Sequence, residues 1–68
     1  MITVNGEPRH LAPGTTVATL LDELEDLPAG RRGVAVAVDA EVVPRGEWDT
    51  TTLDDGAQVE ILRAIQGG

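Results

Sequence analysis

Few side chains in this sequence are suited to covalent chemistry. The 68 residues include no cysteine, so sulfur cannot be held as a persulfide or a side-chain thioester, and no disulfide or thiolate metal site is open to the chain. There is no lysine either, which removes the ε-amine as a nucleophile, a Schiff-base site or an isopeptide acceptor. His10 is the single histidine, and an imidazole with no second one to pair with suits a strand surface better than a general base. Asp22, Glu23, Glu25 and Asp26, set on a helix, point in diverging directions rather than toward one ion. No glycine-rich segment has the spacing of a phosphate loop. The expectation is no catalytic residue and no metal site.

What remains is a backbone group. The sequence closes RAIQGG, directly after a strand-like run. Glycine is a poor residue for finishing a strand because ordering it costs the most conformational freedom. A frayed end or an expression scar would explain two glycines simply. The chemical alternative is an offered carboxylate. Four extended residues span at most ~14 Å, so Ile65 to Gly68 can enter a cleft in another protein. Gly67, lacking a Cβ, would let a narrow channel admit that segment, and the α-carboxylate of Gly68 would then be approachable at its carbonyl carbon. Leu62, Ala64 and Ile65 lie near the exit point as partner-docking candidates, with burial in the core the competing fate for some of them.

The elements that must present this tail can be read from periodicity. Ile2 and Val4 alternate with Thr3 and Asn5, as in a half-buried strand. Asn5-Gly6 and Glu7-Pro8 signal a turn, with a second short strand through Arg9, His10 and Leu11. In TTVATLLDELEDL, the residues Val17, Leu20, Leu21, Leu24 and Leu27 share one helical face. Thr15 or Thr16 can cap the helix, and Pro28-Ala29-Gly30 ends it. The acidic residues in its C-terminal half oppose the helix dipole and mark either a solvated face or a docking surface for a basic partner. GVAVAV, residues 33–38, reads as a strand covered on both faces. Asp39-Ala40 turns into a brief edge strand, Glu41-Val42-Val43. A loop punctuated by Pro44 and Gly46 carries Trp48, a cheap lid for a small core. After the Asp54-Asp55-Gly56 turn, AQVEILRAI forms the longest strand, with Val59, Ile61 and Ile65 on one face and Leu62 and Ala64 on the other. One helix covers one face of a sheet, which makes the fold α+β in two layers. The first and last strands form its parallel central pair.

Size and charge narrow the function. A chain of this length is one domain with a small core. Twelve acidic residues against five arginines leave a net charge of −7, which disfavours nucleic acid and anionic membrane as partners. It suits either plain solubility or docking on a basic surface. No apolar run approaches the roughly 18 residues of a membrane span, and MITVNGEPRH lacks a signal-peptide pattern. A soluble cytoplasmic protein is expected.

The ITVNGEP start, the PGTTVATLL helix start, the GVAVAV strand, VPRGEW, the DG turn and the ILRAIQGG ending together resemble the ubiquitin-like sulfur-carrier proteins over essentially the whole chain. The closest resemblance is to the thiamin-biosynthesis branch, the ThiS family. VPR-x-x-W followed by DG and a terminal GG is the specific part; a terminal GG alone is not. The related molybdopterin synthase small subunits run longer and carry a proline pair where this chain has Arg63-Ala64-Ile65. The resemblance implies a β-grasp domain over 1–66, a mixed sheet packed on one helix, followed by a Gly-Gly tail at 67–68. It implies a protein co-substrate rather than an enzyme, with no cofactor of its own. A ubiquitin-activating-type adenylyltransferase (ThiF-like) would consume ATP with Mg to adenylylate Gly68. Sulfur from a cysteine desulfurase would convert it to a thiocarboxylate, and thiazole synthase (ThiG-like) would receive that sulfur. A carrier serving molybdopterin or another acceptor, a protein-modifying tag and a ubiquitin-like interaction domain are the other readings.

Overall fold

The computed structural model describes residues 1–24, 27 and 29–63. Among them run β1 (Ile2–Val4), β2 (Glu7–Arg9), α1 (Val17–Glu23), β3 (Val34–Val38), β4 (Glu41–Val43) and β5 (Gln58–Arg63), with 3₁₀ turns at Ala29–Arg31 and Arg45–Glu47. The sheet order is β2-β1-β5-β3-β4. β1 and β5 pair in parallel, and the other neighbours are antiparallel. The expected parallel pairing of the first and last strands holds, with β5 in the middle of the five.

The N-terminal hairpin is tighter than its sequence reading. Asn5 and Gly6 take φ of 51° and 85°, the two positive values of a two-residue type I′ turn, whose twist matches that of the flanking strands. The second strand therefore begins at Glu7, opposite Val4, and not at Arg9. Pro8 is tolerated because β2 is an edge strand, with Pro8 opposite Thr3 at a position where the missing N–H faces away from the ladder. His10 is exposed just beyond β2.

α1 is also shorter than its hydrophobic pattern. Thr16 caps it, its Oγ1 accepting from the Thr19 N–H at 3.2 Å. Two further N–H groups of the first turn are taken by the loop before β5: Val17 donates to the Thr51 carbonyl at 2.9 Å and Ala18 to that of Trp48 at 3.0 Å. The helix stops at Glu23, where Leu24 turns extended and its N–H tightens onto the Leu21 carbonyl at 3.2 Å. Its last turn holds no basic residue and two acidic ones, Asp22 and Glu23, facing the negative end of the dipole. Leu24 and Leu27 still pack on the core from outside the helix, while Glu25, Asp26 and Pro28 lie outside the described residues.

Val17, Leu20 and Leu21 press on one face of the sheet, meeting Ile2, Val34, Val36, Val59 and Ile61. The strand GVAVAV is not covered on both faces, as its apolar run implied. Val34 and Val36 are buried and Ala35 is exposed, because a single helix covers a single face and alanine leaves little apolar surface to the other. Trp48 closes the far edge of the core at 6% exposure, as expected of a lid. Arg45 lies over its ring at 4.9 Å and binds the backbone carbonyls of Gly30 and Arg31, joining the two 3₁₀ turns.

Candidate functional site

The candidate tail follows β5 in sequence, so β5 is the described element that bears on it. Its backbone is fastened from both sides by turns with positive φ. At its start, Asp39 (φ 50°) donates its N–H to the Gln58 carbonyl at 2.8 Å, and its Oδ1 accepts from the Gln58 N–H at 2.9 Å. Toward its end, the Asn5 side chain spans the backbone of Ile61, its Oδ1 accepting from the N–H at 2.8 Å and its Nδ2 donating to the carbonyl at 3.2 Å. Neither bond is visible in local sequence, since Asn5 and Ile61 are 56 positions apart. A turn was all that Asn5-Gly6 and Asp39-Ala40 signalled.

Of the docking candidates, Leu62 is placed in β5 on the face away from α1 and is 63% exposed, so it is not core. It sits opposite Ala35 on β3. Next to that pair, Ala37 faces Val42 on β4, and Val42 is 76% exposed. Leu62, Ala35, Ala37 and Val42 thus make an apolar stripe across the open face, with Glu60 beside it, opposite Ala37. Val42 was legible only as part of an edge strand; its signal was the alternation with buried Val43. Ala64, Ile65, Gly67 and Gly68 lie outside the described residues, as does the remainder of the run read as the longest strand.

Among the described residues, no group of three or more His, Cys, Asp or Glu is gathered to hold a metal ion. No helix among them is long and apolar enough to cross a membrane. The arrangement is a scaffold whose central strand stays paired with β3 as far as Arg63, beside an exposed apolar stripe.

The ThiS family profile matches residues 2–68, the whole of this scaffold and the segment after it. The chain belongs to the ThiS family. The Sulfur carrier protein ThiS of Escherichia coli K12 is 34% identical over 67 residues, which cover 98% of this chain and 97% of that protein. The crystal structure of the thiamine biosynthesis protein ThiS from Geobacter metallireducens superposes with a TM-score of 0.81 at 38% identity, covering 98% of this chain and 97% of that one. The two-layer arrangement is accordingly the β-grasp fold. A thiazole synthase of Paramagnetospirillum magneticum is 36% identical over 67 residues, 98% of this chain but only 20% of that enzyme. This ThiS-family chain is a small sulfur carrier of thiamin biosynthesis and not an enzyme.

Proposed function

We propose that the carrier works through the α-carboxylate of Gly68, which is adenylylated, converted to a thiocarboxylate and spent on thiazole formation. The observation that carries this reading is the extent of the family match, which runs through RAIQGG to residue 68 in a chain with no thiol of its own. A carboxylate resists a sulfur nucleophile because oxide would have to leave. ATP with Mg, consumed by a ThiF-like adenylyltransferase, supplies AMP as the leaving group. Sulfur from a cysteine desulfurase then displaces AMP. The resulting thiocarboxylate is ionised and nucleophilic at neutral pH, as reactive thiolates are.

Thiazole synthase is the proposed acceptor. The carrier-like fifth of the Paramagnetospirillum magneticum enzyme supports this, because a donor domain joined to its acceptor raises the effective concentration of one for the other. In the two-chain arrangement, docking takes the place of the link. The stripe around Leu62 is the surface proposed for it, Ala64 and Ile65 remain docking candidates by their place in the sequence, and Gly67 is proposed to thread the partner's channel. The net charge of −7 fits cationic channel mouths, and the ATP requirement fits work in the cytoplasm.

Reconstitution tests the reading. The chain, an activating enzyme, ATP with Mg, a cysteine desulfurase and thiazole synthase with its small-molecule substrates should form thiazole phosphate in proportion to carrier added. Equal thiazole formation without the carrier would contradict it.

A further inference from the structure

We infer that Asn5 is a positioning residue for sulfur loading, its carboxamide holding at Ile61 the end of β5 that the tail follows in sequence. The inference rests on the carrier reading and adds to it a residue at the opposite end of the sequence.

The backbone ladder between β1 and β5 ends early. Its registered pairs are Thr3 with Gln58 and Val4 with Val59, and the Asn5 N–H makes the last backbone bond, to the Val59 carbonyl at 2.9 Å. In a parallel ladder the next bond would run from the Ile61 N–H to the Asn5 backbone carbonyl. The type I′ turn carries that carbonyl away. The Asn5 side chain substitutes for it: Oδ1 takes the Ile61 N–H, and Nδ2 satisfies the Ile61 carbonyl as one more strand residue would. The carboxamide is in effect an additional residue of β1.

Its position gives it consequence. Past Val59, the described backbone pairing of β5 is with β3 on one side only, through Val34 and Arg63 at the end. The Ile61 bonds hold the other side two residues before the structure's last described position. Asp39 makes a similar pair of bonds at Gln58, but at the end of β5 remote from the tail. A strand end held on both sides needs no further ordering when the segment after it meets a partner, and ordering done beforehand does not count against association. Loss of the clamp should therefore raise the concentration of carrier needed for loading without slowing the chemistry at Gly68.

Asn5→Gly isolates the side chain, because glycine accepts the positive φ of the turn at no steric cost. Asn5→Asp keeps an acceptor for the Ile61 N–H and loses the donor. In the full chain, amide exchange at Ile61 should accelerate about tenfold in Asn5→Gly, the effect of removing a local hydrogen-bonded clamp, with Val36 and Val59 unchanged. In thiocarboxylate formation by the activating enzyme, KM for the carrier should rise about fivefold to tenfold with kcat unchanged. Asn5→Asp should fall between the wild type and Asn5→Gly in both. Unchanged exchange at Ile61 would overturn the clamp, and a loosened Ile61 with unchanged KM would overturn its role in loading. If Asn5→Gly loses protection throughout, the same two outcomes are read on Asn5→Asp. A wild-type chain that accepts no sulfur would instead refute the carrier reading, leaving the exchange result to stand by itself.

Discussion

The Nε1 of Trp48 donates to the backbone carbonyl of Val43 at 2.9 Å, tying the loop after β4 to the last residue of that edge strand. The ring fills the end of the core and the bond fixes its orientation. A large ring at that edge does in one residue what several aliphatic side chains would otherwise have to do, and the sequence has no Phe or Tyr to share the task.

Trp48→Ala should therefore lower unfolding free energy by about 3–5 kcal/mol, a large part of the stability of so small a domain. Trp48→Phe retains most of the buried area but abandons the Val43 carbonyl, and should cost about 1–3 kcal/mol. Urea denaturation followed by circular dichroism checks both. Equal stability for the wild type and Trp48→Ala would mean that the indole is an ornament on an already sufficient core.

Ala40 has a φ of 70° in the turn between β3 and β4. A left-handed conformation costs an L-residue about 1–2 kcal/mol, of which glycine's greater freedom when unfolded returns roughly 0.5–1 kcal/mol. Ala40→Gly should then stabilise the chain by about 0.5–1 kcal/mol and raise the thermal midpoint by about 2–8 °C. A lowered midpoint in calorimetry would show that the strain assigned to this turn is absent.

Leu62 is exposed, so its truncation should be felt by a partner and not by the fold. Leu62→Ala should shift stability by less than about 0.5 kcal/mol while weakening affinity for thiazole synthase about tenfold, as loss of a central apolar anchor does. Titration calorimetry with unaltered affinity would move docking off this stripe.

The amino group of Met1 contacts the carboxylate of Asp55, and this hydrogen bond and charge hold the Asp55 carboxyl below its ordinary 3.8. A depressed carboxyl favours the folded state above its unfolded pKa, and that contribution is lost as pH falls through the folded value. An NMR titration should find Asp55 below 3.8, and acetylation of the Met1 amine should return it toward the ordinary value. No response to acetylation would mean that the pair is not formed in solution.

How far the fold could be read ahead of the structure depended on whether a residue's partner was near in sequence. Val17, Leu20 and Leu21 announced α1 by spacing, and Asn5-Gly6 announced a hairpin, since both signals are local. The end of α1 was less legible: Leu24 and Leu27 keep helical spacing but reach the core from a non-helical segment. GVAVAV misled because an apolar run does not distinguish a buried alanine from an exposed one, and Ala35 faces solvent. The bonds from Asn5 to Ile61 and from Asp39 to Gln58 had no local signature at all. Of the candidate site, Leu62 was named from the sequence and is exposed, the exposure of Val42 was not anticipated, and Ala64, Ile65, Gly67 and Gly68 rest on sequence and family alone.

The central claim concerns Gly68, and mass spectrometry addresses it most directly. Incubation of the intact chain with ATP, Mg, the activating enzyme and a sulfur source should replace one oxygen by one sulfur, and fragmentation should place that sulfur on Gly68. A chain lacking Gly68, or carrying Gly67→Val, should acquire no sulfur while melting almost as the wild type does, because terminal residues contribute little to stability. Sulfur transfer at full rate from the chain without Gly68 would contradict the account.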